Sequence, residues 1–128
     1  MNPRLFILTG VVLLLLDSVY LTITKTYFSN QIKRIQGSFI KIDMLAAFLC
    51  YLFIAFGLNY FILDQHKSIR DAFLLGLTIY AVYELTNKAI FLNWQWFTVF
   101  IDTLWGGILF ASTTYIVRSL EKSRFIWF

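Results

Sequence analysis

Residues 5–23, LFILTGVVLLLLDSVYLTI, decide the fold class of this chain. A helix needs roughly 20 apolar residues, each rising about 1.5 Å, to cross about 30 Å of hydrocarbon. Three more apolar runs follow, at about residues 44–63, 72–92 and 97–117. The runs lack the alternation of barrel strands, and a backbone in lipid must satisfy its own hydrogen bonds, so each run predicts a helix. We expect an all-α bundle of four transmembrane helices.

The composition agrees with a membrane protein. Of 128 residues, 59% are hydrophobic and 14% are charged, whereas soluble domains average about 45–50% apolar and about 25% charged. We therefore expect residues 1–128 to form one integral, multi-pass membrane domain with the lipid bilayer as its partner. A signal peptide is the alternative for the first run, but the sequence after it, from Asp17 to Tyr20, contains no small-x-small cleavage site.

The long connection between the first two runs, residues 24–43, is amphipathic. Its apolar residues recur at spacings of 4, 3, 4 and 3, which predicts a short helix lying in the membrane interface; they are Phe28, Ile32, Ile35, Phe39 and Ile42. Gly37-Ser38 would interrupt this helix, and a solvated loop is the alternative. Two tryptophans in the connection 93–96, and the aromatic tail 123–128, are expected at the headgroup level, with a frayed terminus as the alternative for the tail.

The charges give orientation and exclude several classes of site. Six basic residues fall on the side of the two termini and five on the other, which weakly favours cytoplasmic termini. The net charge of +4 lies between apolar runs, so we expect no nucleic-acid partner. One cysteine and one histidine rule out cysteine-based zinc sites and multi-histidine metal sites. We expect no metal and, without a glycine-rich nucleotide loop, no cofactor.

Three carboxylates lie inside the apolar runs: Asp17, Glu84 and Asp102. At 1.5 Å per residue, Asp17 and Glu84 lie about 18 Å from one face of the bilayer and Asp102 about 22 Å from it. A charge at a helix centre costs roughly 2.5–3.5 kcal/mol, so three acids at one depth point to a shared polar pocket. The alternative is structural: acids that fix helix packing by hydrogen bonds.

The helical faces supply polar neighbours for each acid. The residues that share these faces form the candidate site for a proton or ligand: Asp17, Tyr20, Tyr80, Glu84, Asn87, Lys88, Asp102 and Trp105. Tyr51 lies at a depth from which it could reach the pocket. Lys25 and Lys88 are the expected counter-charges, and because two ammonium groups cannot neutralise three carboxylates, the pocket should hold a proton or a small cation. A stripe of small residues, Thr103, Gly107 and Ala111, allows close approach of the first helix or of a second copy.

These residues also carry a resemblance to a known family. The segment 17–21, DSVYL, resembles the D-x-[VI]-W-L of a family of small predicted membrane proteins catalogued as a domain of unknown function. The second half resembles that family's G-L-x-x-Y-x-x-Y-D-L-T-N-x-A…W…D-x-x-W-G, through Gly76-Leu77, Tyr80, the stretch 83–87 (YELTN), Ala89, Trp94, Asp102 and Trp105-Gly106. Tyr20 replaces the usual tryptophan and Glu84 the usual aspartate. The resemblance implies a four-helix integral membrane protein and no particular activity.

Three functions remain open from the sequence. The first is binding or translocation of a proton, cation or cationic solute at the carboxylate pocket, in a homodimer because four helices are few for a transport path. The second is a structural or accessory protein of a membrane or virion envelope. The third is a membrane-embedded lipid-modifying enzyme, which is disfavoured because the sequence offers no nucleophile–base pair and no histidine at the depth of the pocket.

Overall fold

The computed structural model describes residues 2–123, with the backbone alone at Ser123. Within these residues it contains helices and no strand: α1 (Pro3–Gln36), α2 (Met44–Leu58), α3 (Ile69–Ile90) and α4 (Trp96–Ser123). A π-helical turn, Asn59–Leu63, continues α2. The all-α prediction is confirmed. The tail beyond residue 123, expected to anchor in the interface, lies outside the described residues.

Three helices begin at residues that cap their free amide groups. The side chain of Asn2 accepts a hydrogen bond from the Arg4 amide (2.9 Å) at the start of α1. Asp43 accepts from the Ala46 amide (3.1 Å) at the start of α2. Ser68 accepts from the amide of Asp71 (3.0 Å) at the start of α3. These caps satisfy donors that have no partner inside a helix, and so they fix where each helix starts.

The predicted end of the first helix near residue 23 is wrong, because α1 has 34 residues and extends from Pro3 to Gln36. At 1.5 Å per residue it is about 51 Å long, which exceeds the thickness of the hydrocarbon. No glycine or proline interrupts residues 24–36. The helix ends at Gly37, whose φ of 78° suits glycine and whose amide bonds to the Lys33 carbonyl. The amphipathic stretch is therefore the end of α1, and a separate interfacial helix is absent from the described residues.

Three helical stretches are long and apolar enough to cross a membrane: Pro3–Gln36, Met44–Leu63 and Trp96–Lys122. Large apolar side chains are exposed on the outside of the bundle, as expected of a surface that faces lipid. The third predicted span, α3, has 22 residues but is more polar, since it carries Glu84 and Lys88. That α3 crosses the membrane stays a prediction.

Glycines bring α3 and α4 into close contact. A Cβ atom at Gly76 would lie 2.1 Å from the Gly106 carbonyl oxygen, and one at Gly106 would lie 2.3 Å from the Tyr80 ring. Gly107, from the predicted stripe of small residues, lies against the Phe73 ring of α3. At Gly107 the helix that approaches this stripe is α3; a second copy as partner stays a prediction. This contact holds Tyr80 and Glu84 beside α4.

The helices run alternately up and down. At one end, the start of α1, the turn between α2 and α3, and the last turns of α4 surround a polar cavity of about 560 Å³. At the other end, the buried side chain of Gln31 accepts hydrogen bonds from the Gln95 amide (3.1 Å) and the Thr98 hydroxyl (2.9 Å). Gln31 thus joins the C-terminal part of α1 to the start of α4 through these hydrogen bonds. In contrast, α2 and α3 hardly touch each other.

Candidate functional site

A cavity of about 470 Å³ is lined by residues of all four helices. Two carboxylates, Asp17 from α1 and Asp102 from α4, line it. The remaining lining residues are aromatic, aliphatic or cysteine: Tyr20, Leu21, Cys50, Tyr51, Phe53, Ile54, Ile79, Tyr80 and Tyr83. Four of them are tyrosines. The cavity therefore combines two carboxyl groups with aromatic walls.

Asp17 joins three helices. Its carboxylate is 7% exposed and accepts a hydrogen bond from the Tyr51 hydroxyl of α2. Its other oxygen accepts from the Trp105 indole of α4 at 2.9 Å. Both oxygens of this acid are thus occupied by neutral donors, which compensates its burial.

Glu84 lies behind the cavity. Its side chain is 1% exposed, and it accepts a hydrogen bond from the Trp94 indole at 2.9 Å. Its carboxyl group is also in contact with that of Asp102. Two ionised carboxylates in contact repel each other, so a shared proton or a nearby cation would stabilise this pair.

Asp102 is the acid that lies between Glu84 and Tyr20. It is half-buried, and its carboxyl group interacts with the Glu84 carboxyl group and with the Tyr20 hydroxyl. The Tyr20 hydroxyl is buried and lies against this carboxyl group. The Tyr20 ring stacks on the Trp105 ring at 4.6 Å, with an angle of 5° between the planes. This stack holds Tyr20 between the two carboxylates of the cavity.

The two lysines expected as counter-charges lie elsewhere. The Lys88 ammonium sits 5.5 Å from the centre of the Trp96 ring. Lys25 is exposed and lines a different groove. In the part of the chain that the structure describes, neither lysine forms an ion pair with Asp17, Glu84 or Asp102, so their role as counter-charges finds no support in these positions.

The structure brings together most, but not all, of the residues singled out from the sequence. Four line the cavity, namely Asp17, Tyr20, Tyr80 and Asp102. Glu84 and Trp105 contact these residues from outside it. Asn87 instead bonds to Tyr83 on its own helix, and Lys88 faces away. No group of three or more potential metal-ligand side chains is found in residues 2–123.

Two contributing residues were missed. Trp94 was expected at the headgroup level, yet it is 6% exposed and donates to Glu84. Tyr83 lies next to Glu84 in sequence and lines the cavity. Helical spacing gave no reason to choose either residue. Both belong to the motif that carries the family resemblance, and that motif was the available signal.

A comparison with known families now identifies the chain. Residues 3–118 match the family described as "Predicted membrane protein (DUF2177)". The chain belongs to this family. The resemblance stated from the sequence is thereby confirmed, and the DUF2177 description assigns a membrane protein of unknown function. No curated protein and no solved structure matches the chain.

Proposed function

We propose that this DUF2177 protein binds a cation in the cavity between its helices, and that Asp17 and Asp102 are the binding carboxylates. One observation carries the proposal: both acids line the same cavity of about 470 Å³, and neither has a cationic partner among residues 2–123. Buried charges in a membrane are costly and normally have a partner. A bound proton or cation would supply that missing positive charge.

The dimensions and walls of the cavity favour an organic cation over a bare metal ion. Small-molecule sites typically enclose about 300–1,000 Å³, and this cavity falls in that range at about 470 Å³. Aromatic faces attract ammonium groups through their quadrupoles, and four tyrosines line the walls. A metal ion would need several oxygen ligands around one point, whereas only two carboxylates of the described residues line the cavity. We therefore propose a lipophilic amine or quaternary cation as the solute, with a proton as its competitor.

We propose that the cavity opens toward the bilayer between α2 and α3, which hardly touch each other. Its lining residues on this side are exposed: Phe53 by 71%, Tyr83 by 58% and Ile79 by 38%. Because these side chains are apolar or aromatic, a lipophilic cation can pass between them without leaving an apolar environment. We propose that the solute enters from the membrane along this gap.

Translocation is the second step of the proposal. Only four helices surround the cavity, and one side is open, so we propose that a homodimer encloses the path. Proteoliposomes that carry a pH gradient would show uptake of the cation if the protein translocates it. Cross-linking in the same liposomes would report the dimer. Binding without uptake would contradict translocation while leaving the binding site in place.

Binding is tested with tetraphenylphosphonium, a lipophilic cation, and the purified protein in detergent. Asp102→Asn keeps the shape of the side chain and removes its charge. We expect it to weaken binding by about tenfold or more, because a charge pair in a desolvated site contributes more than the 1.4 kcal/mol that corresponds to tenfold. Asp71→Asn, at an exposed position of α3, is the matched control and should bind normally. Tetraphenylborate, of equal size and opposite charge, should not bind. Equal affinity of the two probes, or an unchanged D102N, would refute the proposal.

A structural role is the second candidate, and the hydrogen bonds of Asp17 favour it specifically. This side chain accepts hydrogen bonds from both α2 and α4. It therefore holds three helices together whether or not a ligand is bound. Asp17→Asn retains one acceptor oxygen and loses the charge, whereas Asp17→Ala loses both acceptors. If Asp17 only holds the helices together, D17A alone lowers stability markedly and no cation binds to the wild type. If binding is the role, D17N folds and loses affinity for the cation.

A further inference from the structure

A second groove lies at the other end of the bundle from the termini. It has a volume of about 490 Å³ and is formed by α1 together with the connection that leads back from Gly37 to α2. Its lining residues are mainly apolar, with two hydroxyls and one charge: Leu21, Thr22, Lys25, Phe28, Ser29, Phe39, Ile40 and Ile42. Among residues 2–123, Lys25 is the only charged residue that lines it, and the cavity that contains Asp17 and Asp102 shares only Leu21 with it.

The length of α1 predicts that the groove lies at the boundary between hydrocarbon and headgroups. Lys25 follows the start of α1 at Pro3 by 22 residues, or about 33 Å along the helix axis. The hydrocarbon is about 30 Å thick, so an α1 that enters the membrane at Pro3 leaves it near Lys25. The connection after Gly37 returns to this level, because it leads into α2, which begins at Met44 and enters the membrane from the same side. Phe39 and Ile42 on the connection are 71% and 69% exposed, which suits contact with lipid.

The surroundings of the groove are basic. Between residues 24 and 43 the chain carries four basic residues, Lys25, Lys33, Arg34 and Lys41, and one acid, Asp43. That acid caps the start of α2 through the Ala46 amide. The ammonium of Lys33 lies over the ring of Phe39, 4.4 Å from its centre. Lys25 makes no ion pair within the described residues. Positive charge beside an apolar groove complements an amphiphile with an anionic head.

We infer that this groove binds an anionic phospholipid. The phosphate would contact the Lys25 ammonium, and one acyl chain would lie along the apolar wall formed by Leu21, Phe28 and Ile42. A zwitterionic lipid fits the apolar wall equally well but gains less from the four basic residues. The inference does not depend on the proposed cation site, since the two sites have opposite charge.

Native mass spectrometry of the purified full chain tests this inference. The protein is incubated with equal amounts of phosphatidylglycerol and phosphatidylcholine that carry the same acyl chains. We expect preferential retention of phosphatidylglycerol, and a roughly fivefold loss of that preference in Lys25→Gln, as estimated for one basic residue at a membrane surface. Lys122→Gln, an exposed lysine at the opposite end of the bundle, is the matched control and should behave as wild type.

The other outcomes overturn the inference. Equal retention of the two lipids by the wild-type protein would show that charge does not select the occupant. An equal loss in K25Q and K122Q would show diffuse attraction without a site. Because Lys25 is exposed, K25Q should fold normally, and circular dichroism checks this. Displacement of the lipid by millimolar inorganic phosphate would mean that the apolar wall contributes nothing, and it would also overturn the inference.

Discussion

Gly76→Ala is the sharpest test of how the site is positioned. The added Cβ atom would lie 2.1 Å from the Gly106 carbonyl oxygen and 2.7 Å from the Phe110 ring. Contacts below 3.0 Å are essentially never seen for a real Cβ atom, so α3 and α4 must separate by about 1 Å. Overpacking of this kind typically costs about 1–3 kcal/mol. We expect the upper end of that range, because a backbone carbonyl cannot rotate away as a side chain can.

The assay is thermal unfolding in detergent, followed by far-ultraviolet circular dichroism. Gly10→Ala is the control, since a Cβ atom there meets nothing within 4 Å, and alanine in a helix interior should stabilise by roughly 0.5–1 kcal/mol. The separation caused by G76A also moves Glu84, two turns further along α3, away from Asp102. We therefore expect G76A to lower both the unfolding temperature and the affinity for the cation. A G76A protein as stable as G10A would refute the α3–α4 packing described above.

Two further substitutions test contacts that join the helices. Trp105→Phe keeps an aromatic ring against Tyr20 but leaves one oxygen of buried Asp17 without its donor, so we expect a loss of about 1–3 kcal/mol; exposed Trp96→Phe should change stability little. Gln31→Leu removes the acceptor of the Gln95 amide at the start of α4, and we expect a loss of about 1 kcal/mol, as for other helix caps. Exposed Gln65→Leu is its control, and equal unfolding temperatures for Q31L and Q65L would contradict the capping role.

The sequence was sufficient to place the acids at one height, because the rise of a helix is constant. Asp17 and Asp102 line one cavity, and Glu84 contacts Asp102. The true end of α1 was missed for a physical reason. Hydropathy reports where lipid contact ends near Ile23, whereas the helix itself ends only where Gly37 adopts a left-handed conformation. Apolar length and helical length are separate properties.

Contacts between helices were harder to predict than heights. The glycines of α4 showed that some helix approaches closely, but which one depends on the arrangement of the bundle; it is α3. The lysines were placed near the acids by sequence distance alone. A lysine side chain is long and flexible, and the Lys88 ammonium lies over the ring of Trp96, since an aromatic face near the membrane surface costs it less desolvation than a buried carboxylate would.

The three acids are not equivalent, and the difference decides which substitution is informative. Asp17 uses both oxygens for the donors of Tyr51 and Trp105, and Glu84 is held by Trp94. A loss of binding in variants of these two acids could follow from lost packing. Asp102 lines the cavity beside the Tyr20 hydroxyl, and Asp102→Asn removes its charge while it keeps one oxygen that can accept a hydrogen bond from that hydroxyl. If D102N unfolds at the wild-type temperature and loses the cation, charge alone explains the loss; if it retains the cation, the site has been wrongly assigned.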